Sequence, residues 1–131
     1  MTYGEKAREL KDTLNCGQSV VVALDELTGL DESTAKALST GLGGGLRCGE
    51  ACGAYCGAVL VLGLTVGKDG MGKPGGPVAE AVKAFSDEFK EKFGAIRCED
   101  LLGKSGGDHS VCSGFCAWCA DRAAELIEEN K

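Results

Sequence analysis

Histidine is almost missing from this chain: there is one, His109, in 131 residues. A hydrolytic metal site assembled from several imidazoles is thereby excluded. Basic residues are scarce as well, 14 Lys plus Arg against 20 Asp plus Glu, for a net charge of -6. Nucleic acid and anionic membrane surfaces, both held through basic faces, are not expected partners. Long apolar runs are lacking. The longest, Ala58 to Val66, contains Gly63 and falls well short of the about 18 residues that mark a membrane span. No segment alternates apolar and polar residues between turn signals, so strands are not expected. The opening MTYGEKARELKDTLN has no basic stretch leading into an apolar one and does not read as a signal peptide. The expected compartment is the cytoplasm, where thiols stay reduced and stable disulfides are rare.

What the chain does have is glycine and cysteine, 21 of one and 8 of the other. They stand out against 44% apolar and 26% charged residues, proportions ordinary for a folded protein. The length suits one domain over residues 1–131, able to bury roughly two-thirds of its unfolded surface. Cysteine also fills cores as a small hydrophobe, which accounts for a few of these residues. Eight of them in a reduced compartment point instead to metal ligation or redox chemistry.

Apolar spacing predicts an all-α fold, a bundle of five or six helices around a central Gly/Cys-rich helix. Ala7, Leu10 and Leu14 mark one face of a helix over Tyr3–Leu14. Cys16–Leu27 carries Val20 to Leu24 and Leu27, enough for a buried helix, with Gly29 placed as its C-cap. Asp31-Glu32-Ser33 opens another, running to about Ser39, with acidic residues where the helix dipole favours them. Arg47–Val66 is apolar on most faces and free of proline, as a helix enclosed by others would be. Gly53 and Gly57 within it each cost about 1 kcal/mol relative to Ala, and fit where another backbone or a bulky ligand comes close. After a glycine-rich connector, Val82, Phe85, Phe89 and Phe93 stripe a helix over Val78–Phe93. A short helix over Cys98–Leu102 and a last one over Gly114–Glu129 complete the expectation.

The cysteines fall into two local groups, Cys48-x3-Cys52-x3-Cys56 and Cys112-x3-Cys116-x2-Cys119, with Cys16 and Cys98 apart. On a helix, residues four apart share a face and lie about 6 Å apart along the axis. Cys52 can therefore share an inorganic ligand with either neighbour. Cys48 and Cys56, about 12 Å apart on such a helix, cannot both reach one compact cluster, which predicts two metal centres or one extended centre. Thiolates select zinc, copper(I) or iron–sulfur clusters. The spacings match neither the common zinc knuckles nor the ferredoxin run, and by themselves name no metal. Gly43-Gly44-Gly45 leads straight toward Cys48. Free backbone N–H groups at such a helix start lower a thiol pKa, stabilise a bound anion and donate to cluster sulfurs. A nucleotide loop is not expected, since no Gly-Lys-Ser or Gly-Lys-Thr follows and no strand precedes.

Cys52-Gly53-Ala54-Tyr55-Cys56-Gly57 resembles the CGAxxG core of the C_GCAxxG_C_C family, whose members are regarded as redox-active. Gly41 to Gly45, the segment Leu14-Asn15-Cys16-Gly17-Gln18-Ser19 and the stretch from Cys116 through Asp121 to Leu126 resemble it too. The likeness runs from about Cys16 to the C-terminus. It places the four characteristic cysteines on Cys16, Cys52, Cys98 and Cys116, and leaves Cys48, Cys56, Cys112 and Cys119 as additions. The family implies redox activity and no particular substrate. A related cysteine-rich module fused to split-Soret cytochromes is associated with an iron–sulfur centre and a dimer, so a homodimer is implied here as well.

His109 reads as a solvated loop residue, Trp118 as a core or dimer contact, and Arg47 as either a counter-charge to Cys48 or a surface residue. Residues and resemblance together predict a small redox protein holding one or more iron–sulfur clusters, of the 4Fe–4S type or larger. Cys52 and Cys116 are its first candidate ligands and Cys16 and Cys98 the next, with Cys48, Cys56, Cys112 and Cys119 completing the coordination. Gly43, Gly44, Gly45, Gly53 and Gly57 are the candidate residues beside it. Electron exchange with a redox partner protein is expected, rather than catalysis on an organic substrate. Two other readings stand beside this one: a thiol–disulfide oxidoreductase using cysteines from different segments, and a zinc-stabilised structural module.

Overall fold

The computed structural model describes all 131 residues. They form eight α-helices and no strand. α1 (Tyr3–Leu10) starts under a Thr2 cap and lies along α8 (Cys112–Glu129). The backbone N–H of Gly4 donates to the Asp121 carboxylate at 2.7 Å. α2 (Cys16–Ala23) opens on a reciprocal cap: the Asn15 side chain accepts from the Gln18 N–H, and the Gln18 side chain accepts from that of Asn15. α3 (Asp25–Thr28) and α4 (Glu32–Ser39) follow, the first ending at Gly29 with φ +80° and the second capped by Asp31. α5 (Gly53–Thr65) is central, against α2, α8 and α6 (Pro77–Phe93). α7 (Cys98–Lys104) is short and precedes α8. No helix is long and apolar enough to cross a membrane.

The all-α architecture and its central helix are as the sequence predicts, with boundaries that differ for identifiable reasons. The expected Cys16–Leu27 helix breaks at Leu24 (φ −102°, ψ 14°), which adds α3 to the count. The first helix stops at Leu10, before Leu14. The largest correction concerns Arg47–Val66. Its helical part begins only at Gly53, and residues 44–47 take left-handed backbone, with φ of +62°, +63°, +60° and +64°. Leu46 and Arg47 each accept a conformation that costs an L-residue about 1–2 kcal/mol. Cys48, Cys52 and Cys56 therefore do not share one helical stripe: Cys48 is in the loop, Cys52 is the N-cap and Cys56 is in the first turn.

One continuous core of 22 buried residues threads the bundle. Its large side chains form an aromatic layer. Phe85 and Phe89 of α6, both fully buried, meet Tyr55 of α5 and Trp118 of α8 at ring-centroid distances of 5.4–5.9 Å. Arg122 of α8 clasps Glu88 of α6 through Nε at 2.7 Å and Nη2 at 3.1 Å. On the opposite side of α5 the packing is by small residues. A Cβ at Gly57 would stand 2.9 Å from the Gly17 carbonyl oxygen, and one at Gly53 would stand 2.6 Å from that of Leu42. The two glycines let α2 and the loop before α5 approach closely. Of the two occupants the sequence allowed, another backbone stands against both glycines.

Candidate redox-active cysteine site

Four cysteines from four segments line one cavity of about 220 Å³: Cys16, Cys52, Cys98 and Cys112. Each stands at the start of a helix, Cys16, Cys98 and Cys112 as first residues of α2, α7 and α8, and Cys52 as the N-cap of α5. Local backbone chemistry puts them there. An isolated antiparallel bridge joins Ala51 to Arg97. Around it the Cys52 N–H donates to the Ile96 carbonyl at 2.8 Å, and the Cys98 N–H to the Glu50 carbonyl at 2.6 Å. The bridge thus ties Cys52 and Cys98, far apart in sequence, to neighbouring positions. Gly45 completes the arrangement from the left-handed turn, where a Cβ would meet that of Cys98 at 2.5 Å. Cys16 is fixed by the Asn15 cap of α2.

The remaining cysteines divide. Cys116 is fully buried one turn beyond Cys112, its thiol donating to the Cys16 carbonyl oxygen at 3.7 Å. Cys119 is fully buried and feels the thiols of Cys52, Cys16 and Cys56. Cys56 is half-buried, its thiol donating to the Ala51 carbonyl at 3.8 Å. Cys48 alone is exposed, outside the cavity, with its thiol turned to the Gly45 carbonyl at 3.7 Å. Among the candidate glycines, Gly44, Gly45 and Gly53 line the cavity. Gly43 is instead packed on Asn15, and Gly57 against α2.

Burial dominates the electrostatics. It pushes the Cys52 thiol up to about 12, despite the opposing influence of the backbone N–H groups of Ala54 and Tyr55 in the first turn of α5, and the charges of Cys16 and Cys98 add to the rise. For Cys16 the hydrogen bond with Cys112 lowers the value, but contact with Cys116 and burial outweigh it, and the thiol ends at about 12. Cys112 is raised by the same contact with Cys16 and by burial. Cys98 is raised by burial and by the charges of Cys112 and Glu99. Without an electrophile or metal, these thiols stay protonated at neutral pH. The cavity mouth carries Lys11, Asn15 and His109, and Lys11 pulls Cys16 and Cys112 the other way. Sequence reasoning passed over Lys11, whose spacing carries no signal of its place. His109, expected as a solvated loop residue, is exposed and also borders the cavity. Arg47 is exposed and donates to the Thr40 carbonyl at 3.1 Å.

The four lining thiols are soft donors, the type that selects zinc, copper(I) or iron–sulfur clusters. No three Cys, His, Asp or Glu side chains stand close enough together to hold a single metal ion. The space between the four thiols is many times what one water or bare ion needs.

No curated protein and no solved structure matches the chain. The family model described as "Putative redox-active protein (C_GCAxxG_C_C)" matches residues 14–130, which takes in all eight cysteines and every helix but the first. The chain belongs to the C_GCAxxG_C_C family.

Proposed function

We propose that this protein is a small electron-transfer protein that holds an iron–sulfur cluster in the cavity lined by Cys16, Cys52, Cys98 and Cys112, and passes electrons to a redox partner protein. One observation carries the reading: four soft donors, from segments distant in sequence, face a common space too large for one ion. When bound, the cluster supplies a one-electron centre whose potential depends on the hydrogen bonds and burial around its sulfurs. The chain's own residues do the rest. The four thiols give up their protons on ligation, so loading improves as pH rises. Amide groups in the first turn of α5, which pull the Cys52 thiol toward its charged form, offset the negative charge of thiolates in a protein of net charge -6. Leu101 and Phe115 wall the cavity and keep water off one side. Lys11, which lines the cavity, adds a positive charge that favours the thiolates of Cys16 and Cys112. The likeness to cysteine-rich modules set out above supports a homodimer.

A thiol–disulfide oxidoreductase has one observation in its favour, Cys16 and Cys112 lining one cavity with Cys116 against the Cys16 backbone. The raised thiols of Cys16 and Cys112 speak against it, because exchange needs thiolate at working pH. Anaerobic reconstitution with iron and sulfide separates the two. Single Ala variants of Cys16, Cys52, Cys98 and Cys112 are expected to lose most of the dithionite-bleachable visible absorption, and Cys48→Ala to keep it. A colourless, metal-free wild type that reversibly loses a pair of thiols on mild oxidation supports the disulfide reading instead.

A further inference from the structure

On the far side of Leu101 and Phe115 from the cysteine cavity lies a second, open groove of about 670 Å³, within the usual range of small-ligand sites. Its floor is aromatic. Phe93 stands edge-on to Phe115 with centroids 4.9 Å apart, and to Trp118 at 5.7 Å. Phe93 and Trp118 are only half-buried, so ring surface faces the opening. Gly114 sits in the same wall, and a Cβ there would meet nothing within 4 Å. Lys92 and Lys104 stand on the rim, both exposed and neither in an ion pair. Two ammonium groups without a carboxylate partner border an aromatic floor, that of Lys92 standing 5.8 Å from the Phe93 ring centroid, in a chain of net charge -6.

We propose that this groove binds a planar aromatic ligand with an anionic tail, of the flavin mononucleotide kind, its rings flat on one of the perpendicular Phe93 and Trp118 rings and edge-on to the other, and its phosphate between Lys92 and Lys104. Aromatic faces supply stacking area, and the lysines supply the charge match that selects a phosphate-bearing form over a neutral one. Placement behind Phe115 gives the site its use, a carrier of electrons beside the cysteine centre. That use rests on the proposed cluster; the binding does not.

Trp118 is the only tryptophan, so its fluorescence reports on the groove directly, with or without metal. Titration of the metal-free full chain with flavin mononucleotide is expected to quench Trp118 saturably, with riboflavin binding roughly tenfold more weakly for want of the phosphate. Lys92→Glu/Lys104→Glu should remove that tenfold preference and leave riboflavin unchanged. Gly114→Leu fills open space on a helix, so it should fold at least as well as wild type and lose binding of both by tenfold or more. Absence of saturable quenching overturns the proposal, as does equal binding of the two flavins by wild type. A dimer in sedimentation velocity that Gly114→Leu dissociates also overturns it, because the groove is then covered by a second copy. Reconstitution with iron and sulfide, read separately, tests the cluster without touching these outcomes.

Discussion

The aromatic layer between α6 and α8 and the cysteine cavity beside it share one wall, Phe115, and are packed in opposite ways. In the layer, fully buried Phe85 and Phe89 touch Tyr55, Trp118 and each other at centroid distances of 5.4–6.5 Å, and polar atoms such as the Tyr55 and Ser86 hydroxyls are paired. Everything there is accounted for by burial of apolar area. Around the cavity, sulfur replaces hydrocarbon, backbone stands in for side chains, and space is left open in the middle. The loop that closes it keeps Leu46 and Arg47 left-handed. Strain and unfilled volume both oppose stability, and such features concentrate where a fold serves something other than itself. The layer holds the protein together, whereas the cavity is held by it.

That contrast can be broken by substitution. Phe89→Ala, deep in the layer, is expected to cost about 3–5 kcal/mol, enough to lower the melting temperature by roughly 10 °C or more; calorimetry of the metal-free protein measures it. A cost no larger than that of Cys98→Ala would erase the distinction between the two regions. Gly57→Leu drives a side chain into the Gly17 carbonyl and Val20 of α2, and should cost about 1–3 kcal/mol, with denaturant midpoints as the readout. A neutral result would mean that α2 and α5 are not pressed together as described.

Alkali sharpens the comparison at smaller amplitude. The thiols of Cys16 and Cys52 have an ordinary value of 9.0 when solvent-exposed in the unfolded chain, and folding raises both to about 12. Unfolded chains give up these protons first, so stability is complete below about pH 9 and is lost as pH rises toward 12. The melting temperature of the metal-free protein should therefore fall by several degrees between pH 9 and 11, and Cys52→Ser should shallow that slope while Cys48→Ser leaves it alone. Equal slopes in all three would place the alkaline loss elsewhere, in lysines or tyrosines.

Much of the frame was readable from residue order. The stripe Val82, Phe85, Phe89, Phe93 specifies α6 because large apolar groups at helical spacing leave no other way to bury them. Pro77 as its first residue and Gly94 past its end mark it off with the ordinary asymmetry of helix termini. The glycines of α5 announced a close approach, though not which neighbour makes it. Three things were beyond local pattern. Nothing in Leu46 or Arg47 signals left-handed backbone; the surrounding structure imposes it, and with it the removal of Cys48 from the helix. Nor does spacing decide between Cys112 and Cys116. They sit one turn apart on the same face of α8, and the approach of α2 leaves the first on the cavity wall and the second buried beneath it. The single bridge between Ala51 and Arg97, which brings Cys52 to Cys98, is a long-range contact with no sequence period to reveal it.

The most direct test of the cluster is chemical analysis of protein purified and reconstituted without oxygen. Iron and acid-labile sulfide in near-equal amounts, stoichiometric with the chain and accompanied by a visible absorption that dithionite bleaches, is the predicted result. Protein that takes up iron or zinc with no labile sulfide, or takes up no metal at all, would contradict it.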